Sequence, residues 1–113
     1  MKLAIIGSRS IRCADIGEYL PEGIDEIVSG GARGIDSIAA AYAKSHGIKL
    51  VEFLPNYEKY GGRVAPLRRN DEIADYADEV IAFWDGNSTG TKYTVEAFKK
   101  RGKPVRIMKI KYN

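Results

Sequence analysis

Three short segments of this chain combine glycine with arginine or hydroxyl side chains: Gly7-Ser8-Arg9-Ser10, Gly30-Gly31-Ala32-Arg33-Gly34, and Asp85-Gly86-Asn87-Ser88-Thr89-Gly90-Thr91. Glycine lets backbone N–H groups approach an anion closely, a helix that begins just after such a turn adds partial positive charge, and a guanidinium grips a phosphate with two parallel hydrogen bonds. The shared chemistry is recognition of a phosphate-bearing or otherwise anionic ligand. One such loop would be explained equally well as a tight turn. Three of them, with Arg9 and Arg33 following different strands yet aimed at one edge, favour a site. Arg69 and Asn70, within Arg68-Arg69-Asn70 at a helix opening, are further candidates. Asp36, early in the helix after the second loop, is placed to meet unpaired N–H groups there rather than to catalyse.

Other patterns match only on paper. Gly86-Asn87-Ser88-Thr89-Gly90 satisfies G-x-S-x-G, but the sole histidine, His46, precedes that serine and sits at a helix end, where it faces the last carbonyls. Gly90-Thr91-Lys92 lacks the spacing of a phosphate-binding P-loop. One His and one Cys exclude an ordinary zinc site, and there is no acidic cluster for magnesium, so no metal and no cofactor is expected.

The elements that must position the three loops read as alternating strands and helices. Strands are expected at Lys2 to Ile6, Glu26 to Ser29, Lys49 to Phe53, Glu79 to Trp84 and Pro104 to Ile110, mostly unbroken apolar runs suited to parallel strands covered on both faces. Ile35, Ile38, Ala39, Tyr42 and Ala43 form one apolar stripe on a helix that Gly47 ends. Leu67, Ile73, Ala74 and Ala77 mark another, with Pro66 placed to start it, and Val95 with Phe98 a third, which stops at Arg101-Gly102. A further helix is expected around Ala14 to Leu20. Between Leu54 and Ala65 a long connection carries Tyr57, Tyr60, Gly61, Gly62 and Arg63; it reads as a lid whose Tyr57 or Tyr60 would either stack on a base or pin the loop to the body. Right-handed crossovers wind these elements into a single Rossmann-like α/β domain over residues 1–113: three layers around a five-stranded parallel sheet of order 3-2-1-4-5.

Size and charge agree. With 113 residues, 44% of them hydrophobic, the chain is one ordinary globular domain rather than a multidomain enzyme. All 15 acids lie in residues 1 to 98, so the +3 net charge divides into a body at −4 and a fifteen-residue tail at +7. On the expected fold, Lys99, Lys100 and Arg101 suit the dipole at a helix end, and Lys109 and Lys111 guard an edge strand. Cys13 alone allows no intrachain disulfide, and the opening apolar run is too short for a signal peptide or a membrane span; the expected compartment is cytoplasm, with no membrane partner.

Taken together, Gly7-Ser8-Arg9, Ser29-Gly30-Gly31-Ala32-Arg33-Gly34-Ile35-Asp36, Arg69-Asn70 followed by Ile73-Ala74, and Gly90-Thr91 with Thr94 resemble the SLOG superfamily. This superfamily of Rossmann-like domains includes the core of DNA-processing protein A (Smf) and the LOG-type phosphoribohydrolases. Tyr60-Gly61, Pro66 and Ala82-Phe83-Trp84-Asp85-Gly86 also fit its small YspA or cpYpsA-related branch. The resemblance implies a pocket for nucleotides, nucleotide derivatives or, in the DNA-processing branch, single-stranded DNA.

The leading expectation is therefore binding of a nucleotide-derived ligand through Gly7, Ser8, Arg9, Gly30, Gly31, Arg33, Gly34, Arg69, Asn70, Ser88, Gly90 and Thr91. An alternative is hydrolysis of a nucleoside 5′-monophosphate to base and ribose 5-phosphate, with Glu96 and Asp85 as candidate carboxylates. The phosphoribohydrolase pattern P-G-G-x-G-T-x-x-E is not kept. Asn87-Ser88-Thr89-Gly90-Thr91 lacks its opening, Thr94 stands where its glutamate would, and Glu96 is turned about 200° away on a helix. A third reading is single-stranded nucleic-acid binding. A homodimer that buries an edge strand or helix face is a further expectation.

Overall fold

A computed structural model describes residues 1–11 and 15–109. Its elements run β1 (Lys2–Gly7), a single 3₁₀ turn (Gly17–Tyr19), β2 (Glu26–Ser29), α1 (Ile35–Ser45), β3 (Lys49–Glu52), α2 (Tyr57–Tyr76), β4 (Glu79–Trp84), α3 (Thr89–Lys100) and β5 (Val105–Lys109). All strand pairs are parallel, and the order is β3-β2-β1-β4-β5, as the alternation of elements predicts. Ile110 and Lys111, at the end of the expected fifth strand, lie outside the described residues, as do Cys13 and Ala14.

Successive side chains of a strand point to opposite faces, and the core divides accordingly. Leu3 and Ile5 of β1, Ile27 of β2, and Ile81 and Phe83 of β4 face α1, where Ile35, Ala39 and Ala43 pack with Ile11 and Ile16 from the first connection. Ala4 and Ile6, Val28, and Val80 and Ala82 face the other way, onto Ile73, Ala74 and Ala77 of the α2 region and Val95 and Phe98 of α3. The run of alanines in this second layer lets two helices lie close to the sheet. The stripe expected for α1 is the one observed, with Ile38 and Tyr42 half-buried at its border.

Two expectations about helices are corrected. The helix expected from Ala14 to Leu20 is, in its described part, only the 3₁₀ turn Gly17–Tyr19. Pro21 biases the residue before it to extended backbone, and Leu20 adopts φ −86°, ψ 139°, so no helix can pass that point. The long lid does not exist either, because α2 begins at Tyr57, capped by Asn56, whose side chain accepts the Lys59 N–H at 3.1 Å. The helix is then broken at Gly61, whose φ of 79° and ψ of 173° are open to glycine. Pro66 therefore lies inside α2, shortly after a break where few intrahelical bonds are lost, rather than at the helix start.

Much of the basic tail is tied into this framework. Lys103 Nζ donates to the carbonyls of Ala74, Asp75 and Ala77 at 2.7, 2.9 and 2.8 Å, closing the C-terminal end of α2. Arg101 Nε meets Asp75 at 2.7 Å while its Nη1 donates to the Ala97 carbonyl, and Lys99 pairs with Glu96.

Candidate functional site

Strand order reverses between β1 and β4, because the first connection and α1 cover one face of the sheet while α2 and α3 cover the other. The loops leaving those strands part there and open a crevice at the carboxyl edge, where open α/β sheets bind ligands. In this molecule the crevice is a cleft of about 440 Å³. Its walls are the β1 loop (Gly7 to Ser10), Gly30, Ala32 and Asp36 from the second loop and α1, Pro66, Leu67, Arg69, Asn70 and Ile73 from α2, and Asp85, Ser88 to Thr91 and Thr94 from the β4 loop and α3.

The β1 and β4 loops are stitched to each other. The Ser8 N–H donates to the Phe83 carbonyl at 3.1 Å, and the Asp85 N–H donates to Ser8 Oγ at 3.1 Å. Asp85 Oδ1 in turn accepts the N–H groups of Asn87 and Ser88 at 2.8 and 3.0 Å, and its Oδ2 accepts from Ser10 Oγ at 3.2 Å. Those backbone donors hold its carboxyl below the usual aspartate range, so it is a fixed anion that shapes the loop rather than a proton donor. Ser88 caps α3 through its side chain, which accepts both the Thr91 N–H at 3.3 Å and the Thr91 hydroxyl at 3.1 Å. Thr89 and Gly90, the first residues of α3, thereby face the cleft with the positive end of the helix dipole behind them.

Across the cleft, Arg69 is only 6% exposed. Its Nη1 donates to the Gly30 carbonyl at 2.5 Å and lies 3.4 Å from the Phe53 carbonyl, while Nε donates to Asn70 Oδ1 at 2.8 Å. One guanidinium thus ties the ends of β2 and β3 to α2. A side chain at position 30 would meet Arg69 Nη1 at 2.5 Å and Asp36 Oδ2 at 3.1 Å, which is why glycine stands there. Burial pulls Arg69 below its ordinary pKa, with Arg9 adding to that pull and Asp36 opposing it. At Gly34, φ is 73° and a Cβ would press into the Ser8 and Arg9 backbone, so the second glycine loop packs directly on the first.

Most of the candidates meet here: Gly7, Ser8, Arg9, Gly30, Arg69, Asn70, Ser88, Gly90 and Thr91 all line the cleft. Gly31, Arg33 and Tyr57 do not; they line an adjoining groove, and Gly34 lies on a third depression with Arg9 and Arg33. Tyr60 lines none of the three, since its ring lies under the Lys59 and Arg68 cations. Arg69, expected on a helix opening, is instead buried mid-helix and is partly a structural brace. Of the two candidate catalytic carboxylates, Asp85 is in the cleft but engaged as described. Glu96 is outside it, exposed, and paired with Lys99.

Asp36 is expected from the sequence to serve the helix start. It accepts instead the Ala32 N–H at 3.1 Å, within the glycine loop, and faces the cleft. Burial raises its pKa, against the N–H of Ala32 and the charges of Arg69 and Arg9. Its position in Gly34-Ile35-Asp36 carried no periodic signal by which to find this. Leu67, expected in a core stripe, is 37% exposed at the cleft wall. His46 behaves as expected, with Nδ1 3.0 Å from the Tyr42 carbonyl. Among the described residues no group of three or more His, Cys, Asp and Glu could hold a metal ion, and no helix is long and apolar enough to cross a membrane.

Comparison with known proteins agrees with this architecture. The chain is similar to DNA processing protein A from Streptococcus pneumoniae, at a TM-score of 0.72 and 23% identity, over 94% of this chain and 49% of that one. It therefore spans about half the length of that protein, and the likeness is one of fold. It is also 33% identical, over 84 residues, to the Gene 61 protein of Mycobacterium phage D29, covering 70% of this chain and 67% of that protein. Residues 1–60, which hold the first two glycine loops and the start of α2, match the model of the YspA, cpYpsA-related SLOG family. The chain belongs to that family.

Proposed function

We propose that this domain binds a nucleotide or nucleotide-derived ligand in the cleft, with its phosphate between Arg9 and the start of α3. What carries the reading is convergence. Two arginines, the first amides of α3, and the hydroxyls of Ser8, Ser88 and Thr91 surround one crevice at the point where the strand order reverses. Asn70 and Asp36 supply a mixed donor and acceptor set suited to sugar hydroxyls, and Pro66 and Leu67 give an apolar wall for a base. Membership of the SLOG family supports the same class of ligand.

Neither carboxylate expected for the hydrolase alternative is free in the cleft, since Glu96 lies outside it and both oxygens of Asp85 are engaged by its own loop and Ser10. The second reading, single-stranded nucleic acid, draws on the exposed side chains of Arg9 and Arg33 at this edge. Calorimetric titration with a panel of nucleoside mono- and diphosphates, and with a thymidine oligonucleotide at two salt concentrations, tests both. A saturable mononucleotide isotherm is expected. Folded protein that binds none of the panel overturns the proposal, and an oligonucleotide affinity that falls steeply with salt while mononucleotides stay silent favours the second reading.

A further inference from the structure

Beside the cleft lies a groove of about 430 Å³ that shares Arg9, Gly30, Ala32 and Arg69 with it, so the two adjoin at the β1 and β2 loops. The groove brings Arg9, Arg33 and Arg69 together with no lining carboxylate. Two carboxylates border it: a Cβ at Gly30 would lie 3.1 Å from Asp36 Oδ2, and one at Gly31 3.4 Å from Glu52 Oε2. Among the described residues neither Arg9 nor Arg33 has a carboxylate within 4.0 Å. Three cations so placed repel one another; Arg9 adds to the lowering of the Arg69 pKa and Asp36 opposes it more strongly, so Asp36 balances one of the three charges and leaves Arg9 and Arg33 for an anion.

The opposite wall is apolar. Leu54, held by the following Pro55, is 67% exposed and Tyr57 is 54% exposed, although both are large hydrophobic side chains on a concave surface. An aromatic face beside arginines is the arrangement on which a nucleobase stacks next to its phosphate. A mononucleotide has one base and one phosphate. Seated in the cleft, it would leave Tyr57, Leu54 and Arg33 uncovered.

We infer that the groove is a second subsite, and that cleft and groove together take a ligand of two nucleoside units joined through phosphate, with the linking phosphate at Arg9 and the second base against Tyr57. This rests on the nucleotide-binding reading above. Each space alone is near the lower end of the roughly 300–1,000 Å³ usual for small-molecule sites, and a ligand spanning both makes use of the shared arginines. The linkage is either a phosphodiester or a pyrophosphate; both place an anion between two nucleosides.

The test is calorimetric titration of the whole chain with AMP, with 5′-phosphorylated adenylyl-(3′→5′)-adenosine, with diadenosine diphosphate, and with an adenylate hexamer. At least one two-nucleoside probe should bind about tenfold or more tightly than AMP, the gain expected of one stacked base. The hexamer should bind no more tightly than the better dimer, and the preferred dimer identifies the linkage. Arg33→Ala and Tyr57→Ala, both at exposed positions where the fold tolerates change, should abolish the advantage over AMP. Equal affinity for AMP and both dimers, an advantage that survives both variants, or affinity still rising to the hexamer would overturn the inference, the last in favour of a polymer track. If AMP also fails to bind, the nucleotide reading falls with it; if AMP binds without a dimer advantage, only the second subsite falls.

Discussion

Asp85 shows how a single residue can look catalytic and be architectural. It lines the cleft, yet both carboxylate oxygens are engaged, Oδ1 by two backbone N–H groups and Oδ2 by Ser10. Its folded pKa lies below the unfolded value, so its ionised form stabilises the fold at pH values above the ordinary aspartate pKa of about 3.9. That contribution disappears as pH falls through the lower, folded value. Thermal melts should therefore show Asp85→Asn less stable than the wild type at neutral pH, with the gap closing as the solution is acidified below about pH 3.9. A gap independent of pH would show that the carboxylate charge has no part in the loop. The residue types at this site were legible in the sequence, but their division of labour was not. Arg69 carries the same charge as Arg9, and only its place in mid-helix, against the carbonyls of Gly30 and Phe53, makes it a brace as well as a site residue.

At the scale of elements, strands were easier to read than connections. Five strands were placed within a residue or so of their observed limits in the described chain; β1, β2 and β4, buried on both faces, have little freedom in composition, whereas the edge strands β3 and β5 are partly exposed. The stretch after β3 reads as a lid because Gly61, Gly62 and Pro66 are strong punctuation when read locally, whereas in the fold Asn56 caps a helix there and only Gly61 breaks it. The far end of the same helix depends on a residue distant in sequence. Lys103, just before β5, occupies three carbonyls at the end of α2. Replacing it by Met keeps the aliphatic stem and leaves those acceptors without the ammonium. It should cost about 1–3 kcal/mol in urea unfolding. A loss below a few tenths of a kcal/mol would show that water replaces the contact freely.

For the whole molecule, net charge is a poor guide to partners. The +7 tail suggests a polyanion, but Arg101, Lys99 and Lys103 are engaged with Asp75, Glu96 and the end of α2. Lys99 and Lys100 sit at the far end of the 12-residue α3, roughly 15–17 Å along its axis from its first residue, where the phosphate is proposed to sit. That is about twice the screening length at physiological ionic strength, about 8 Å. Converting both lysines to Gln should change mononucleotide affinity by less than about twofold, whereas Arg9→Ala should lower it by roughly tenfold or more, the worth of one charge-assisted phosphate contact. Comparable losses in the two variants, measured by calorimetry, would mean that long-range attraction outweighs the local contact.

Sequence by itself determined the class of fold, the order of the strands and the glycine loops that border the cleft. These follow from local quantities: hydrophobic period, glycine punctuation, and hydroxyls and arginines at the ends of apolar runs. Tertiary structure alone decided which of those residues share a space. It put Arg33 and Tyr57 in a groove apart from the main cleft, brought Asp36 in, and buried Arg69 between three elements. The reason is physical. Which loops meet depends on how the helices pack against the sheet, and the direction of each side chain depends on its position along a helix or strand. A pattern along one dimension cannot specify that distance across the sheet edge.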